Sequence, residues 1–164
     1  MIQHPIEPVF DNNSKILILG SFPSVKSRED GFFYGHPQNR FWRVLAALCE
    51  IDVPRTIEEK KRLLINNHIA VWDVIKSCDI EGSSDSSIKN VVANDLSIIL
   101  KKSPIQAIFV NGKKAEQLYK KYIEPVTRQK AICLPSTSPA NAAWSFERLV
   151  NEWRIIKASG DNVY

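Results

Sequence analysis

The sequence predicts an α/β fold, a three-layer α/β/α sandwich with a central four-stranded parallel sheet. Short apolar runs alternate along the chain with stretches whose apolar residues recur every three or four positions. Such alternation is typical of strands joined by crossover helices, which makes the strands parallel. Polar, glycine-rich or proline-rich segments follow the apolar runs, as expected where the carboxyl ends of parallel strands form a site.

Four apolar runs predict the four strands. Each is short and nearly continuous in apolar residues, a pattern typical of a strand covered on both faces. The runs span residues 15–20, 68–73, 105–112 and 130–135.

The stretches between these runs carry helical spacing. Apolar residues at i, i+3, i+4 and i+7 occur in three segments, which start at Phe41, Ala115 and Phe146. Each spacing predicts a helix with one apolar face toward the sheet.

Three further segments complete the predicted domain, which includes all 164 residues. Thr56 followed by Glu59 is typical of a capping box and predicts a helix over 57–67. Residues 86–101 are predicted to hold one helix or two shorter ones. Residues 158–164 are predicted to form a frayed tail, to which no role is assigned.

The charge and cysteine content of the chain limit the kinds of partner and metal site that it can have. The net charge of +4 and the pI of about 9.0 are compatible with a polyanionic partner but do not require one. Cys49, Cys78 and Cys133 lie far apart in the sequence, which predicts buried reduced thiols. Their odd number argues against a disulfide framework, a structural zinc site and an iron–sulfur cluster.

Targeting signals and familiar nucleotide or hydrolase motifs are absent from the sequence. No apolar run approaches the roughly 18–20 residues that span a membrane, and the first residues do not form a signal peptide. These features predict a cytoplasmic protein. The sequence also has no Walker loop, dinucleotide fingerprint or nucleophile elbow, which argues against phosphoryl transfer, dinucleotide redox chemistry and serine hydrolysis.

The segment 31–42 packs five aromatic residues, a histidine, an asparagine and two glycines into twelve positions. Such a loop suits a site that stacks a flat ring and brings backbone amides close to it. Phe32, Phe33 and Trp42 are the candidates for core packing, and Tyr34 is the candidate stacking platform.

Other polar residues in these segments allow two interpretations each. Asn39 directly precedes a helical pattern, so its amide either caps the helix or holds a water molecule. His36 is either a general base or a loop hydrogen bonder, and Asp73 is interpreted as a structural carboxylate. His4 and His68 are interpreted as incidental.

Two segments could contact DNA phosphates. Ser136, Thr137 and Ser138 lie between two prolines, where their hydroxyls either bind phosphate or belong to a plain turn. Lys113 and Lys114 at a predicted helix start either meet a phosphate or are solvated.

The order and spacing of three blocks carry a family resemblance. Over nearly its whole length the chain resembles the uracil-DNA glycosylase superfamily, and above all its hypoxanthine-DNA (deoxyinosine) glycosylase branch, often called family six. The blocks are residues 20–24 (GSFPS), 33–42 (FYGHPQNRFW) and 134–141 (LPSTSPAN). Residues 72–78, 82–85 and 111–115 are similar to that branch as well.

The resemblance implies a catalytic role for Asn39. Most branches carry a water-activating Asp or Asn at the third position of the first block, where this chain has Phe22. The hypoxanthine branch is understood to use the asparagine of the His-Pro-x-Asn block, which is Asn39 here. This departure favours hypoxanthine over uracil as the main substrate.

The resemblance also implies roles in base and DNA binding. Tyr34 matches the aromatic that stacks on the extruded base, and the backbone of Gly20, Ser21 and Phe22 would face the base edge. Ser136 stands where the classical uracil branch has a histidine that supports the leaving base. The DNA-binding candidates are Pro23, Ser24, Lys113, Ser138, Ala140 and Asn141. Ala140 stands at a wedge position but is too small to fill an emptied base stack well.

The implied activity is a monofunctional, cofactor-free and metal-free glycosylase that flips a deaminated base out of double- or single-stranded DNA and leaves an abasic site. A monomer without membrane association is expected. Three alternatives remain at this point: a uracil or mismatch glycosylase, a DNA lesion-binding module without activity, and an enzyme acting on free nucleosides.

Overall fold

A parallel four-stranded sheet forms the middle of the molecule, and the computed structural model describes the backbone of residues 1–161 and the side chains of residues 1–158. The strands are β1 (Ile2–Gln3), β2 (Ile16–Gly20), β3 (Ile69–Asp73), β4 (Ile75–Asp79), β5 (Lys89–Ala93), β6 (Ala107–Asn111) and β7 (Ile132–Leu134). The α-helices are α1 (Val25–Asp30), α2 (Phe41–Cys49), α3 (Ile57–Asn66), α4 (Ser97–Leu100), α5 (Lys113–Leu118), α6 (Glu124–Thr127), α7 (Phe146–Trp153) and α8 (Ile155–Asp161).

The order of the parallel sheet is β3-β2-β6-β7. Ile18 in β2 lies opposite Val71 in β3 and Phe109 in β6. Helices flank this sheet, and every residue of β2 and β3 is buried. Burial on both faces explains why these strands are apolar at nearly every position. The predicted fold class and its four parallel strands are confirmed.

The predicted helices over the three spaced segments are present, with one irregularity. The first and third predicted helices are α2 and α7, and they pack together through Phe41 and Trp153, whose rings meet edge to face at 5.8 Å. The second begins as α5 and continues as a π-helical turn over Tyr119–Ile123 before α6. Pro125 follows this turn and has no N–H to donate, so it cannot extend a regular α-helical ladder.

The prediction of one helix or two shorter ones within 86–101 holds only for α4, because the first part of the segment forms a strand. A 3₁₀ turn spans Asp85–Ser87, β5 follows it, and only α4 is α-helical. β5 pairs antiparallel with β4, and β4 pairs with β1, which makes a second sheet of order β1-β4-β5. The backbone partners offered by β4 outweigh the weak helical spacing, and the β-branched Val91 and Val92 suit the extended conformation.

The elements β1, β4, α1, α6 and α8 were not predicted from the sequence, and β5 was not predicted as a strand. The Ser24 hydroxyl caps α1 by accepting the Ser27 N–H. Helix α8 runs past Ala158, the predicted start of the frayed tail, to Asp161. The rest of that tail, residues 162–164, lies outside the described residues.

Candidate functional site

A pocket of about 410 Å³ opens at the carboxyl ends of the four parallel strands. Segments that follow β2, β3, β6 and β7 all line it, so the predicted convergence is present. The predicted site residues on its wall are Gly20, Ser21, Phe22, Pro23, Ser24, Tyr34, Asn39, Ser136, Ser138 and Ala140. Lys113 is exposed at the start of α5 and Asn141 is half-buried, and neither lines the pocket.

Tyr34 has its ring packed on Phe41 and its hydroxyl deep in the protein. The two rings stack with centroids 3.9 Å apart and 17° between their planes. Tyr34 adopts φ of 53°, a left-handed conformation that is costly for a bulky side chain and that often marks functional positions. Burial first, and the Asp73 carboxylate second, raise the pKa of the Tyr34 phenol, so the hydroxyl keeps its proton.

The Tyr34 hydroxyl is buried and has no hydrogen-bond partner among the described residues. One ring face is already taken by Phe41. Because Tyr34 also lines the pocket, its ring can present the remaining face to a flat ligand.

Asn39 directly precedes Arg40, the N-cap residue of α2, and also lies on the pocket wall. Its Oδ1 accepts the N–H of Phe41 at 3.0 Å, so the amide supports the first turn of α2. Its own N–H donates to the His36 carbonyl at 2.9 Å, which fixes the backbone. An amide oxygen has two lone pairs, so the cap leaves one acceptor site on Oδ1 for a water molecule.

His36 lies on the same wall, with one ring nitrogen engaged. Its Nδ1 accepts the Gln38 N–H at 3.1 Å. The neutral ring therefore carries its proton on Nε2 and has no free lone pair with which to take another. This geometry favours the loop hydrogen bonder over the general base.

The first block forms the inner edge of the pocket. Phe22 contacts the His4 ring edge to face, with centroids 5.8 Å apart, and the Arg28 guanidinium lies 5.6 Å from its ring centre. Ser21 donates to Asp85 at 3.5 Å. Burial raises the pKa of Asp85, and the charge of Lys114 opposes that effect.

Asp73 and His4 form a buried pair below this edge. Asp73 Oδ2 lies 2.7 Å from His4 Nε2, and the side chains are only 5% and 3% exposed. His4 Nδ1 accepts the N–H of Ile6 at 3.2 Å, so the proton is on Nε2 and is donated to the carboxylate. The interpretation of His4 as incidental is therefore wrong, since its ring positions a pocket residue 69 positions away.

Arg40, in the second block (residues 33–42), holds the third block (residues 134–141) in place. Its guanidinium donates to the carbonyls of Trp144, Ser138 and Asn141, with the last two at 3.2 and 3.1 Å. The Ser136 hydroxyl accepts the Ser138 N–H at 3.1 Å. These bonds explain why the loop after β7 keeps three hydroxyl-bearing residues, Ser136, Thr137 and Ser138, at the pocket.

Sequence reasoning missed the positioning roles of His4 and Arg40 and the burial of Asp73. Asp73 carried one usable signal, because a carboxylate at the end of a fully apolar strand needs a partner. No local pattern points to His4 as that partner.

Across the described part of the chain, no group of three or more His, Cys, Asp or Glu side chains could hold a metal ion. The three cysteines are not disulfide-bonded to one another. Within residues 1–161, no helix has the length and apolar character to cross a membrane.

Comparisons with known proteins agree with this site. The model of the uracil DNA glycosylase superfamily matches residues 7–158. A hypoxanthine DNA glycosylase of Methanosarcina acetivorans is 37% identical over 95% of this chain and 98% of its own, and one of Methanosarcina barkeri is 38% identical over 82% and 85%. A solution NMR structure from M. acetivorans, described as a uracil DNA glycosylase, superimposes with a TM-score of 0.82 at 34% identity and covers 97% of this chain and 99% of its own. The chain therefore belongs to the uracil DNA glycosylase superfamily.

Proposed function

We propose that this protein removes hypoxanthine from DNA by hydrolysing the bond between the base and the sugar, which leaves an abasic site. The observation that supports the proposal is the pocket at the strand ends, whose lining includes the aromatic ring of Tyr34 and the side-chain amide of Asn39. The family and the names of the two Methanosarcina relatives support this choice of base.

Base binding begins when the nucleotide leaves the duplex and enters the pocket. Flipping costs a few kcal/mol and costs less at a damaged or mismatched pair, which favours lesions over normal bases. The flat purine stacks on the free face of Tyr34, opposite Phe41. The rigid stack of two aromatic rings gives the base a fixed platform.

Bond cleavage then proceeds through a sugar with oxocarbenium character. The C1′–N9 bond breaks and the electron pair leaves with the base, while the water oxygen bonds to C1′. The proton that the water loses neutralises the departing base anion, so the products are free hypoxanthine and an abasic sugar. Backbone N–H groups of Ser21 and Phe22 donate to no acceptor among the described residues, so they are free to stabilise charge on the leaving base. Asn39 orients the attacking water through its remaining acceptor site.

The DNA backbone is expected to lie across the pocket mouth. Pro23, Ser24, Ser138 and Ala140 line the pocket, and hydroxyls and backbone amides of these residues can meet phosphates. Lys113 lies outside the pocket wall and would add a phosphate contact at longer range, while Asn141 supports the loop through its bond to the Ser136 carbonyl. The protein acts as a cytoplasmic monomer on DNA that contains a deaminated base.

The test separates the two roles of Asn39. Release of hypoxanthine from a deoxyinosine duplex is measured with EDTA present for the unmodified protein, Asn39→Ser and Asn39→Ala. A serine hydroxyl can accept the backbone N–H two residues on, as the Asn39 amide does, so Asn39→Ser keeps the melting temperature close to that of the unmodified protein. Its shorter side chain cannot hold the water in place, and hypoxanthine release falls by about 100-fold or more.

Asn151→Ser, on the exposed face of α7, is the matched control and leaves release unchanged. If Asn39→Ser were as active as the unmodified protein, Asn39 would be only a cap. Release of uracil but not hypoxanthine would overturn the choice of base, and binding to the inosine duplex without release would indicate a lesion-binding module. Release from free inosine alone would indicate a nucleoside enzyme.

A further inference from the structure

The floor of the pocket carries one carboxylate oxygen that the protein leaves unused. Asp73 Oδ2 is bonded to His4, whereas Asp73 Oδ1 accepts no hydrogen bond from the described residues. The residue is 3% exposed, yet it lines the pocket. A buried carboxylate oxygen without a hydrogen bond favours a further donor, and because Asp73 lines the pocket, a molecule in the pocket can supply one.

The surroundings of Oδ1 place it beside the surface that meets the base edge. A Cβ on Gly20 would lie 2.5 Å from Asp73 Oδ1 and 2.9 Å from Tyr34 Oη. The carboxylate therefore lies directly against the backbone of the first block and next to the stacking residue. A base stacked on Tyr34 would bring its edge close to Asp73 Oδ1 and the backbone of Gly20.

The His4 ring also determines which kind of hydrogen-bonding group Asp73 presents to the pocket. Because His4 Nδ1 accepts a backbone N–H, Nε2 carries the proton and always presents a donor to Asp73. The carboxylate is bound from one side by this donor, and the face toward the pocket is acceptor-only. Such a floor attracts a ring N–H and repels a ring nitrogen with a lone pair.

We propose that Asp73, oriented by His4, selects hypoxanthine over adenine, and uracil over cytosine, by accepting the ring N–H that deamination creates in these two bases. In adenine, N1 carries a lone pair, whereas in hypoxanthine N1 carries a hydrogen next to the C6 carbonyl. Cytosine and uracil differ in the same way at N3. One acceptor at the pocket floor therefore distinguishes the deaminated base from its parent, and this inference rests on the proposed glycosylase function.

The test exchanges the acceptor for a donor without changing its size. In Asp73→Asn, the His4 N–H binds the amide oxygen, so the NH₂ group faces the pocket. Release is measured from two duplexes, one with deoxyinosine and one with the deoxyribonucleoside of unsubstituted purine, whose N1 has only a lone pair. The ratio of hypoxanthine to purine release, measured against that of the unmodified protein, falls by about tenfold or more.

A second variant tests the part played by His4. In the double variant His4→Ala with Asp73→Asn, the introduced amide is free to turn its oxygen toward the pocket, so the ratio moves back toward the original value. Asp52→Asn, which removes an exposed carboxylate elsewhere, is the matched control and leaves the ratio unchanged.

The unmodified protein supplies a test that does not depend on how a variant folds. A duplex with 1-methyldeoxyinosine lacks the N1 hydrogen, and its base should be released at least about tenfold more slowly than hypoxanthine. Equal release of the two bases, or an unchanged ratio in Asp73→Asn, would overturn the role of Asp73 while hypoxanthine release still stood. Absence of hypoxanthine release by the unmodified protein would overturn the proposed function first, and this inference with it.

Discussion

Asn111 and Thr137 exchange two hydrogen bonds across the edge of the pocket. The Thr137 N–H donates to Asn111 Oδ1 at 3.1 Å, and Asn111 Nδ2 donates to the Thr137 hydroxyl at 3.0 Å. Asn111 ends β6, and Thr137 lies in the loop after β7. This pair therefore fixes the loop that brings Ser136 and Ser138 to the pocket.

Replacement of Thr137 by Val tests the importance of this pair. Valine keeps the shape of the side chain but removes the hydroxyl, which leaves the Asn111 amide without its acceptor. Thr137 is fully buried, so we expect a loss of about 1–3 kcal/mol in the free energy of unfolding. Urea unfolding measures this loss in the free energy of unfolding. Thr137→Ser keeps the hydroxyl and is the control when hypoxanthine release is measured. A Thr137→Val variant as stable and active as the unmodified protein would contradict the prediction.

Arg40 holds the loop over residues 138–144 through three carbonyls. A lysine at this position has one ammonium group in place of the planar fork, so it cannot reproduce the arrangement. We expect Arg40→Lys to bind a deoxyinosine duplex more weakly. We also expect a protease to cut this loop about tenfold faster, since losing these hydrogen bonds costs about 1–2 kcal/mol of loop stability.

Arg43→Lys on the same helix is the matched control, because exposed Arg43 makes only one bond, to the Gln38 carbonyl at 3.4 Å. Equal protection of the loop in Arg40→Lys and Arg43→Lys would show that the carbonyl contacts of Arg40 do not hold it.

The parts of the fold that sequence predicts well are those with a local cause. β2 and β3 are buried on both faces, so their apolar runs reveal them without reference to any partner. The helix over 57–67 was predicted from Thr56 and Glu59, and both capping-box bonds are present in α3. Each signal lies within a few residues of the structure that it predicts.

The parts that were missed depend on distant partners. β5 is a strand because β4 lies beside it, and its own residues have helical spacing as well. The bond between His4 and Asp73 joins residues 69 positions apart, for which no spacing rule exists. Asn39 shows a further limit, since a cap and a water-holding amide require the same residue type at the same place. Its catalytic role stays a prediction until the serine variant is measured.

The capping box of α3 predicts a defined pH dependence of stability. Glu59 Oε2 accepts the N–H groups of Arg55 and Thr56 at 2.7 and 3.3 Å, and these bonds lower the pKa of Glu59. Because the pKa in the folded state is lowered, the ionised group stabilises the protein above the ordinary value of about 4.3. That stabilisation is lost as the pH falls through the lowered value.

Glu59→Gln keeps an acceptor oxygen but removes the charge. We therefore expect a lower melting temperature than for the unmodified protein at pH 7, with a difference that shrinks toward zero below about pH 4. Glu58→Gln, at a neighbouring exposed position, is the control for general charge effects. A difference that stays constant from pH 7 to pH 3 would show that the ionised carboxylate is not responsible.

Gly20 ends β2 where the pocket begins, and it admits no side chain. An added Cβ would lie 2.5 Å from Asp73 Oδ1 and 2.9 Å from Tyr34 Oη, and neither neighbour can move freely. His4 holds the carboxylate, and Phe41 holds the tyrosine ring. We expect Gly20→Ala to lower the free energy of unfolding by about 1–3 kcal/mol and to reduce hypoxanthine release more than tenfold in the protein that remains folded.

Gly31→Ala separates this clash from backbone strain, because Gly31 has φ of 74° and nothing within 4 Å of an added Cβ. It should cost roughly 1–2 kcal/mol through strain alone and leave release by the folded protein unchanged. Equal losses of release in the two variants would mean that the close approach of Gly20 to the carboxylate is unimportant for the site.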